Sequence, residues 1–169
     1  MEATRRLLDW IAINVDLRLD DVDRAAAVQL IAALNAEIRD RYGEPLERFV
    51  LDLDPDDVAP GRGAFTLAWV GLEAVGCGAV RLIDANRAEL KRMYVVPDYR
   101  GHGVAAAILR FLERHARSLG ATRMVLETVT TPPAAVALYR GAGYEEIPKF
   151  GPYVDSGISF CMGKLLPSD

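Results

Sequence analysis

The segment Tyr94-Val-Val-Pro-Asp-Tyr-Arg-Gly-His-Gly-Val-Ala105 sets one arginine and two glycines between an apolar strand and an apolar helix. A turn of this kind leaves the first N–H groups of the helix without intrahelical acceptors. Such donors at the positive end of a helix form a site for phosphate or pyrophosphate. Gly101 and Gly103 omit the Cβ atoms that would hold a ligand away from the backbone, and Arg100 can add a charge-assisted hydrogen bond. The plain alternative is a tight strand-to-helix turn with an exposed arginine. Two carboxylates also stand inside apolar segments, Glu89 in Glu89-Leu-Lys-Arg-Met-Tyr-Val-Val96 and Glu127 in Val125-Leu-Glu-Thr128. Burying a carboxylate unpaired is costly, so each needs either an ion partner or a chemical task. Lys91 and Arg92 are candidate partners for Glu89. Glu127 lies late in a strand expected to be parallel, and ligands collect at the carboxyl ends of such strands.

These residues depend on the elements around them. After the loop, Val104, Ile108, Phe111, Leu112, Ala116 and Leu119 recur at helical spacing, and Gly120 suits the cap of a helix over 103–119. His115 shares the face of Phe111 and Leu112 and reads as a packed helix histidine. A strand over 122–128 follows at a distance that fits a right-handed parallel crossover. A helix over 133–141 and strands near 144–148 and 157–165 complete that half. Upstream, Val15–Leu19 alternates as a first strand. Asp20 or Asp21 is expected to cap a helix with Ala27, Leu30, Ile31, Leu34 and Ile38 on one face, stopping near Gly43 and Pro45. Residues 44–63 read as loop with room for a short helix. Ala64–Val70 and Ala74–Ile83 form a hairpin through Gly71, and Ala85-Asn86-Arg87 turns the chain into a strand over 88–96. Leu7, Leu8, Trp10 and Ile11 suggest a short amphipathic helix over 1–12 packed on the rest. The order is that of one α/β domain over 1–169.

Composition narrows the function. A formal net charge of −4 over 169 residues argues against a nucleic-acid partner, which requires a basic surface. Asp52, Asp54, Asp56 and Asp57 read as a solvated loop more than as a trap for a cationic amine. Cys77 and Cys161 make no C-x-x-C pattern and, with His102 and His115, no zinc set, so two free thiols and no metal are expected. Arg5, Arg6 and Asp9 interrupt any signal-peptide core, and no stretch approaches the length of a membrane span. A cytoplasmic protein with no membrane partner is expected.

Arg100-Gly-His-Gly-Val-Ala105 resembles the Arg/Gln-x-x-Gly-x-Gly/Ala loop of the GNAT N-acetyltransferases. Glu89–Val96 leads into it as that family's fourth strand does, and Val125–Thr128 resembles the fifth. Ala134-Ala-Val-Ala-Leu-Tyr-Arg-Gly-Ala-Gly-Tyr144 is similar to the closing helix and turn. The tail, with Ile147–Tyr153 and Ser159–Lys164, looks like that of small bacterial single-domain members whose substrate is not assigned. The resemblance implies the GNAT fold. That is a mixed, mostly antiparallel central sheet with helices on both faces, whose one parallel βαβ crossover, within 88–144, binds acetyl-CoA.

Acetyl transfer from a thioester to an amine makes three demands: removal of an amine proton, donors for the tetrahedral oxyanion, and an acid for the departing thiolate. An alkylammonium titrates at roughly 10.4, so its proton needs a base or a desolvated route near neutral pH. The resemblance makes Tyr139 the acid that hydrogen-bonds the CoA sulfur; a phenol of pKa about 10 stays protonated at neutral pH. The alternative is a tyrosine packed beside Leu138. Glu127 stands twelve positions before Tyr139, as the catalytic glutamate does in the family's ribosomal-protein acetylases. Glu89 stands where histone-acetylating members keep their base, and a water chain is a third route. By the same resemblance a free backbone N–H near Val95 meets the oxyanion. Cofactor contacts then fall on Met93, Tyr94, Val95, Val96, Arg100, Gly101, His102, Gly103, Val104, Ala105 and Tyr139. One departure is that Thr131-Pro132-Pro133 stands where many members carry Ser-Asn, so the asparagine contact to the cofactor is missing.

The acceptor is expected between the loop at Arg41, Tyr42 and Gly43 and the loop at Phe150–Tyr153. There Tyr42, Phe150 and Tyr153 offer aromatic walls to a small organic or amino-acid-like amine. The implied protein is an acetyl-CoA-dependent N-acetyltransferase of small-molecule primary amines, acting as a monomer or homodimer. Protein N-terminal or lysine acetylation and a non-catalytic acyl-CoA-binding module are the alternatives. Gly101-His-Gly-Val-Ala-Ala106 also fits a dinucleotide fingerprint, but it follows some 100 residues and only one βαβ unit is visible. Neither cysteine has a histidine beside it, which favours direct transfer over an acetyl-cysteine route.

Overall fold

A computed structural model describes residues 13–43, 53–131 and 133–167. The expected N-terminal helix over 1–12, Asp52 and Pro132 lie outside the described residues. The strands are β1 (Asp16–Leu19), β2 (Gly63–Val70), β3 (Glu73–Leu82), β4 (Arg87–Val95), β5 (Arg123–Thr128), β6 (Glu145–Glu146) and β7 (Phe160–Leu165). They form one sheet in the order β1-β2-β3-β4-β5-β7-β6, in which β4–β5 is parallel and the other neighbours are antiparallel. Among the described residues three α-helices, α1 (Ala25–Tyr42), α2 (Val104–Ser118) and α3 (Ala134–Gly141), cover the faces. The fold is the mixed α/β sheet with one parallel crossover read from the sequence.

Alternation along the strands divides the core. Phe65, Leu67, Cys77, Ala79 and Tyr94 pack with Ala27 and Leu30 of α1. Ala64, Ala68, Val80, Leu90 and Val95 point to the other face and meet Ile108, Leu109 and Leu112 of α2 and Val136 and Tyr139 of α3. Period two on the strands and a buried stripe on α2 are thus solved together. The first helix starts later than expected. Its N-cap is Arg24, which has no side-chain acceptor to offer the helix amides, and Asp20 forms an ion pair with Arg24 at 2.7 Å. The expected strand at 144–148 shrinks to Glu145–Glu146, and the last strand begins only at Phe160, after a 3-10 turn over Gly151–Tyr153. Asp54, Asp56 and Asp57 belong to a capped 3-10 turn, and Asp57 also pairs with Arg81 at 2.7 Å.

β4 carries the irregularity that shapes the site. Cys77 pairs with Tyr94 and Ala79 with Lys91, so Arg92 and Met93 together face Gly78. This two-against-one arrangement is a β-bulge, and it bends the strand. Arg92 sits at φ +59°, alone among described non-glycine residues in the left-handed region. The parallel register with β5 runs from Arg87↔Arg123 to Leu90↔Leu126 and goes no further. β4 then continues with β3, while Glu127 and Thr128 continue with Cys161 and Phe160 of β7. The two strands part, and the gap opens at their carboxyl ends.

Gly78 lets α2 seat against the bulge. A Cβ there would lie 2.7 Å from Ile108 Cγ2, 2.8 Å from Met93 Sδ and 2.9 Å from Leu112 Cδ1. Gly78→Ala should lower stability by about 1–3 kcal/mol, the range for overpacking a filled core. Denaturant unfolding with an unchanged slope and a lower midpoint is the expected result. An unchanged midpoint would mean that α2 can retreat freely from the sheet.

Candidate active site

The gap between β4 and β5 widens into a cleft of about 590 Å³ lined by α1, the end of β4, the loop after it, the starts of α2 and α3, and Glu127–Val129. At one end lies the glycine loop. Gly101 and Gly103 adopt φ +80° and +81°, and Gly103 caps α2 without a side-chain bond. A Cβ on either glycine would meet nothing within 4 Å, so what the chain requires here is the left-handed backbone rather than empty space. The amide of Ala107 bonds to the Gly103 carbonyl, which leaves the N–H groups of Val104, Ala105 and Ala106 at the open helix end. The Val104 side chain is buried, and His102 Nδ1 lies 2.9 Å from the Arg100 carbonyl oxygen.

Arg100 lines the cleft but is not a bare cation waiting for phosphate. Its Nε donates to the Val95 carbonyl at 2.8 Å, its Nη2 meets Glu37 Oε1 at 2.6 Å, and the guanidinium lies over the Tyr94 ring. It therefore ties the loop to β4 and α1. Of the four positions at the end of β4 and just beyond it, Met93–Val96, expected to touch the cofactor, the backbone of Val95 is the most telling. Val96 N–H donates to Val75 O, so by the antiparallel alternation the N–H and C=O of Val95 point away from β3 and toward the gap. The Tyr94 side chain lies on the α1 face with its hydroxyl 3.4 Å from Glu37, and Met93 packs toward Gly78.

Glu127 and Tyr139 both line the cleft. Glu127 Oε1 accepts a 2.7 Å hydrogen bond from Ser159 Oγ. Burial pushes its carboxyl above the ordinary value, and the Ser159 hydrogen bond and the Lys91 charge partly oppose that. Tyr139 is 7% exposed, stacks edge-on against Tyr144 at 5.8 Å, and its hydroxyl makes no hydrogen bond among the described residues. Burial, reinforced by the Glu127 charge, raises its phenol above the usual range, so it stays protonated.

Glu89 is 2% exposed and is not part of the cleft wall. Its ion partner is Arg81, directly opposite on β3, at 2.9 Å, rather than Lys91 or Arg92. Its other oxygen accepts from the Tyr153 hydroxyl at 2.7 Å, and Lys91 Nζ lies 3.4 Å from that hydroxyl. Tyr153, expected as an acceptor wall, is accordingly buried, and Phe150 packs edge-on against it; neither lines the cleft. Tyr42 does line it, with its hydroxyl donating to the Thr131 carbonyl. Cys77 is buried and its thiol is pushed up to about 12, far from a ready nucleophile. The sequence offers Lys91 only as an ion partner for Glu89, and it assigns Arg81, Glu37 and Ser159 no role at the site. Arg81 becomes legible once the β3–β4 register is known, whereas nothing near Ser159 announces its partner.

Residues 30–144 match the model of the acetyltransferase (GNAT) family. An IAA acetyltransferase of Azospirillum brasilense is 34% identical over 154 residues, covering 90% of this chain and 99% of that protein. A Klebsiella pneumoniae protein assigned as an acyl-CoA N-acyltransferase superposes with a TM-score of 0.74 at 30% identity, over 90% of this chain and 97% of the other. A GNAT acetyltransferase of Elizabethkingia anophelis, solved with acetyl-CoA bound, has the same fold at TM-score 0.63 and 16% identity, over 90% and 99% of the two chains. A family match over more than half of the chain, joined to a relative covered almost end to end, makes this protein an N-acetyltransferase of the GNAT family.

Proposed function

We propose that the enzyme moves the acetyl group of acetyl-CoA directly to the primary amine of a small molecule, with both substrates bound in the cleft between β4 and β5. The observation that carries this reading is the convergence of the Val95 backbone, Glu127 and Tyr139 on one gap, with the amide-rich loop at its end. The open amides of Val104, Ala105 and Ala106 suit the pyrophosphate, and Arg100, held by Glu37, keeps the loop in place for it. Glu127 takes a proton from the bound ammonium as the nitrogen attacks the thioester carbonyl. The oxyanion forms against the Val95 N–H, and Tyr139 protonates the thiolate that leaves. Tyr42 supplies one wall of the acceptor space. Glu89 is the weaker base candidate, since both of its oxygens are already engaged. The IAA acetyltransferase relative supports a small-molecule acceptor. A panel of phenethylamine, spermidine, glucosamine, phenylalanine and a lysine peptide with labelled acetyl-CoA tests the reading, and transfer to the peptide alone or to nothing would overturn it.

The loop assignment is tested by ligand-induced stabilisation. CoA at 100 times its Kd should add about 2.7 kcal/mol of stability by mass action. NAD at the same concentration should add far less, and equal shifts would point to a dinucleotide site.

For Glu127→Gln, turnover should fall roughly 10²–10⁴-fold with acetyl-CoA binding kept. Because burial raises the Glu127 carboxyl, the acid limb of wild-type kcat/KM should lie above the range of an exposed glutamate, about 4.3. The protonated carboxyl is the form the fold prefers, so stability is lost as pH rises through the folded value. The Gln variant should therefore be at least as stable as wild type at neutral pH and gain nothing in acid. Glu89→Gln should instead lose stability and keep the limb; if it erases the limb, the base is Glu89.

Tyr139→Phe keeps the ring and removes the donor. Its maximal rate should fall about 10-fold or more with little change in unfolding midpoint. A donor thioester with a more acidic thiol should recover part of the loss. A wild-type rate with acetyl-CoA would reduce Tyr139 to a packing residue.

A further inference from the structure

Glu127 does not end at the cleft. Behind it, Ser159 Oγ lies 2.7 Å from Glu127 Oε1 and 2.8 Å from Ser156 Oγ. Ser159 is 8% exposed and stands just before β7, whose Cys161 pairs with Glu127 in the sheet. Ser156 is half-buried, in the turn after Tyr153, where its Oγ accepts the N–H of Ser159 at 3.1 Å. A buried carboxylate is thus joined to the protein surface by two hydroxyls in series.

We propose that Ser159 is the positioning residue of Glu127 and that Ser159 and Ser156 together form the path by which the proton taken from the acceptor amine leaves for solvent. This rests on Glu127 being the base. Acetylation of an ammonium releases two protons: one ends on the CoA sulfur through Tyr139, and the other must leave the cleft. In the resting state Ser159 donates to Glu127 and Ser156 donates to Ser159. Once Glu127 holds the amine proton, both hydroxyls rotate. The carboxyl proton passes to Ser159 Oγ, the Ser159 proton to Ser156 Oγ, and the Ser156 proton to water. Each oxygen gains and loses one proton, and the carboxylate is restored. Hydroxyls suit the task because each is donor and acceptor at once and turns freely.

The other groups facing Glu127 are poorly suited to it. Lys91 and Glu89 of β4 and Tyr153 beyond α3 belong to the Arg81 ion network, Cys161 is a buried thiol, and Tyr139 serves the sulfur. Ser159 also holds the carboxyl lower than burial alone would, so its removal has a spectroscopic signature independent of any acceptor.

The test combines carbon-13 NMR titration of the Glu127 carboxyl with rates on the fastest amine of the panel, in dilute buffer. Ser159→Ala should move the Glu127 titration and the acid limb of kcat/KM to higher pH. Its rate should drop about 10-fold, less than the loss when the base itself is removed. Added imidazole should restore much of that rate by accepting the proton directly, and Ser159→Thr should behave as wild type. Should Ser159→Ala fail to fold, Ser156→Ala decides: an imidazole-dependent loss supports the path, and a wild-type rate overturns it. An unmoved titration in folded Ser159→Ala overturns the positioning role while leaving Glu127 as base. A Glu127→Gln enzyme with the wild-type limb overturns both readings.

Discussion

Two parallel strands that part leave main-chain groups on their inner edges with no neighbour in the sheet, and the chemistry proposed for this protein depends on that gap. Buried backbone donors are almost always paired, so a strand directs an N–H into open space only where something else is to meet it. Here β4 is held by β3 through the bulge at Arg92, and β5 is held by β7. Neither strand can follow the other past Leu90 and Leu126. The strained backbone of Arg92 is the local cost of re-aiming Val95.

The same geometry gives two buried glutamates opposite fates. Glu89 lies within the paired stretch, opposite Arg81, and its charge is met by that guanidinium and a phenol. Glu127 stands one residue beyond the last paired position, so its carboxyl meets the cleft on one side and a single serine hydroxyl on the other. Desolvation without a full ion partner leaves it ready to hold a proton. The sequence places both in apolar strands and offers each as a base; what separates them is register.

That limit recurs across the molecule. The hairpin at Gly71, the crossover into the glycine loop and the αL glycine after α2 are local signals, and the observed elements follow them closely. At the start of α1 the sequence allows Asp20 to cap or to pair, and in the fold it pairs with Arg24 while the helix begins at Ala25. Tyr153, beside Gly151 and Pro152, reads as an aromatic wall of the acceptor space, yet a carboxylate sixty-four residues away draws its hydroxyl inward. Long-range pairing of this sort leaves no trace in composition or period. Ser159 is invisible for the same reason.

One continuous run of charge and hydroxyl, Asp57–Arg81–Glu89–Tyr153, ties the turn after Leu53 to the turn at Gly151 through the middle of the sheet. Two surface segments that are distant in sequence are thereby mortgaged to each other. Engineering or natural drift that remodels one will strand a buried charge unless the other changes in step. These loops therefore act as a single structural unit, to be exchanged whole or left alone.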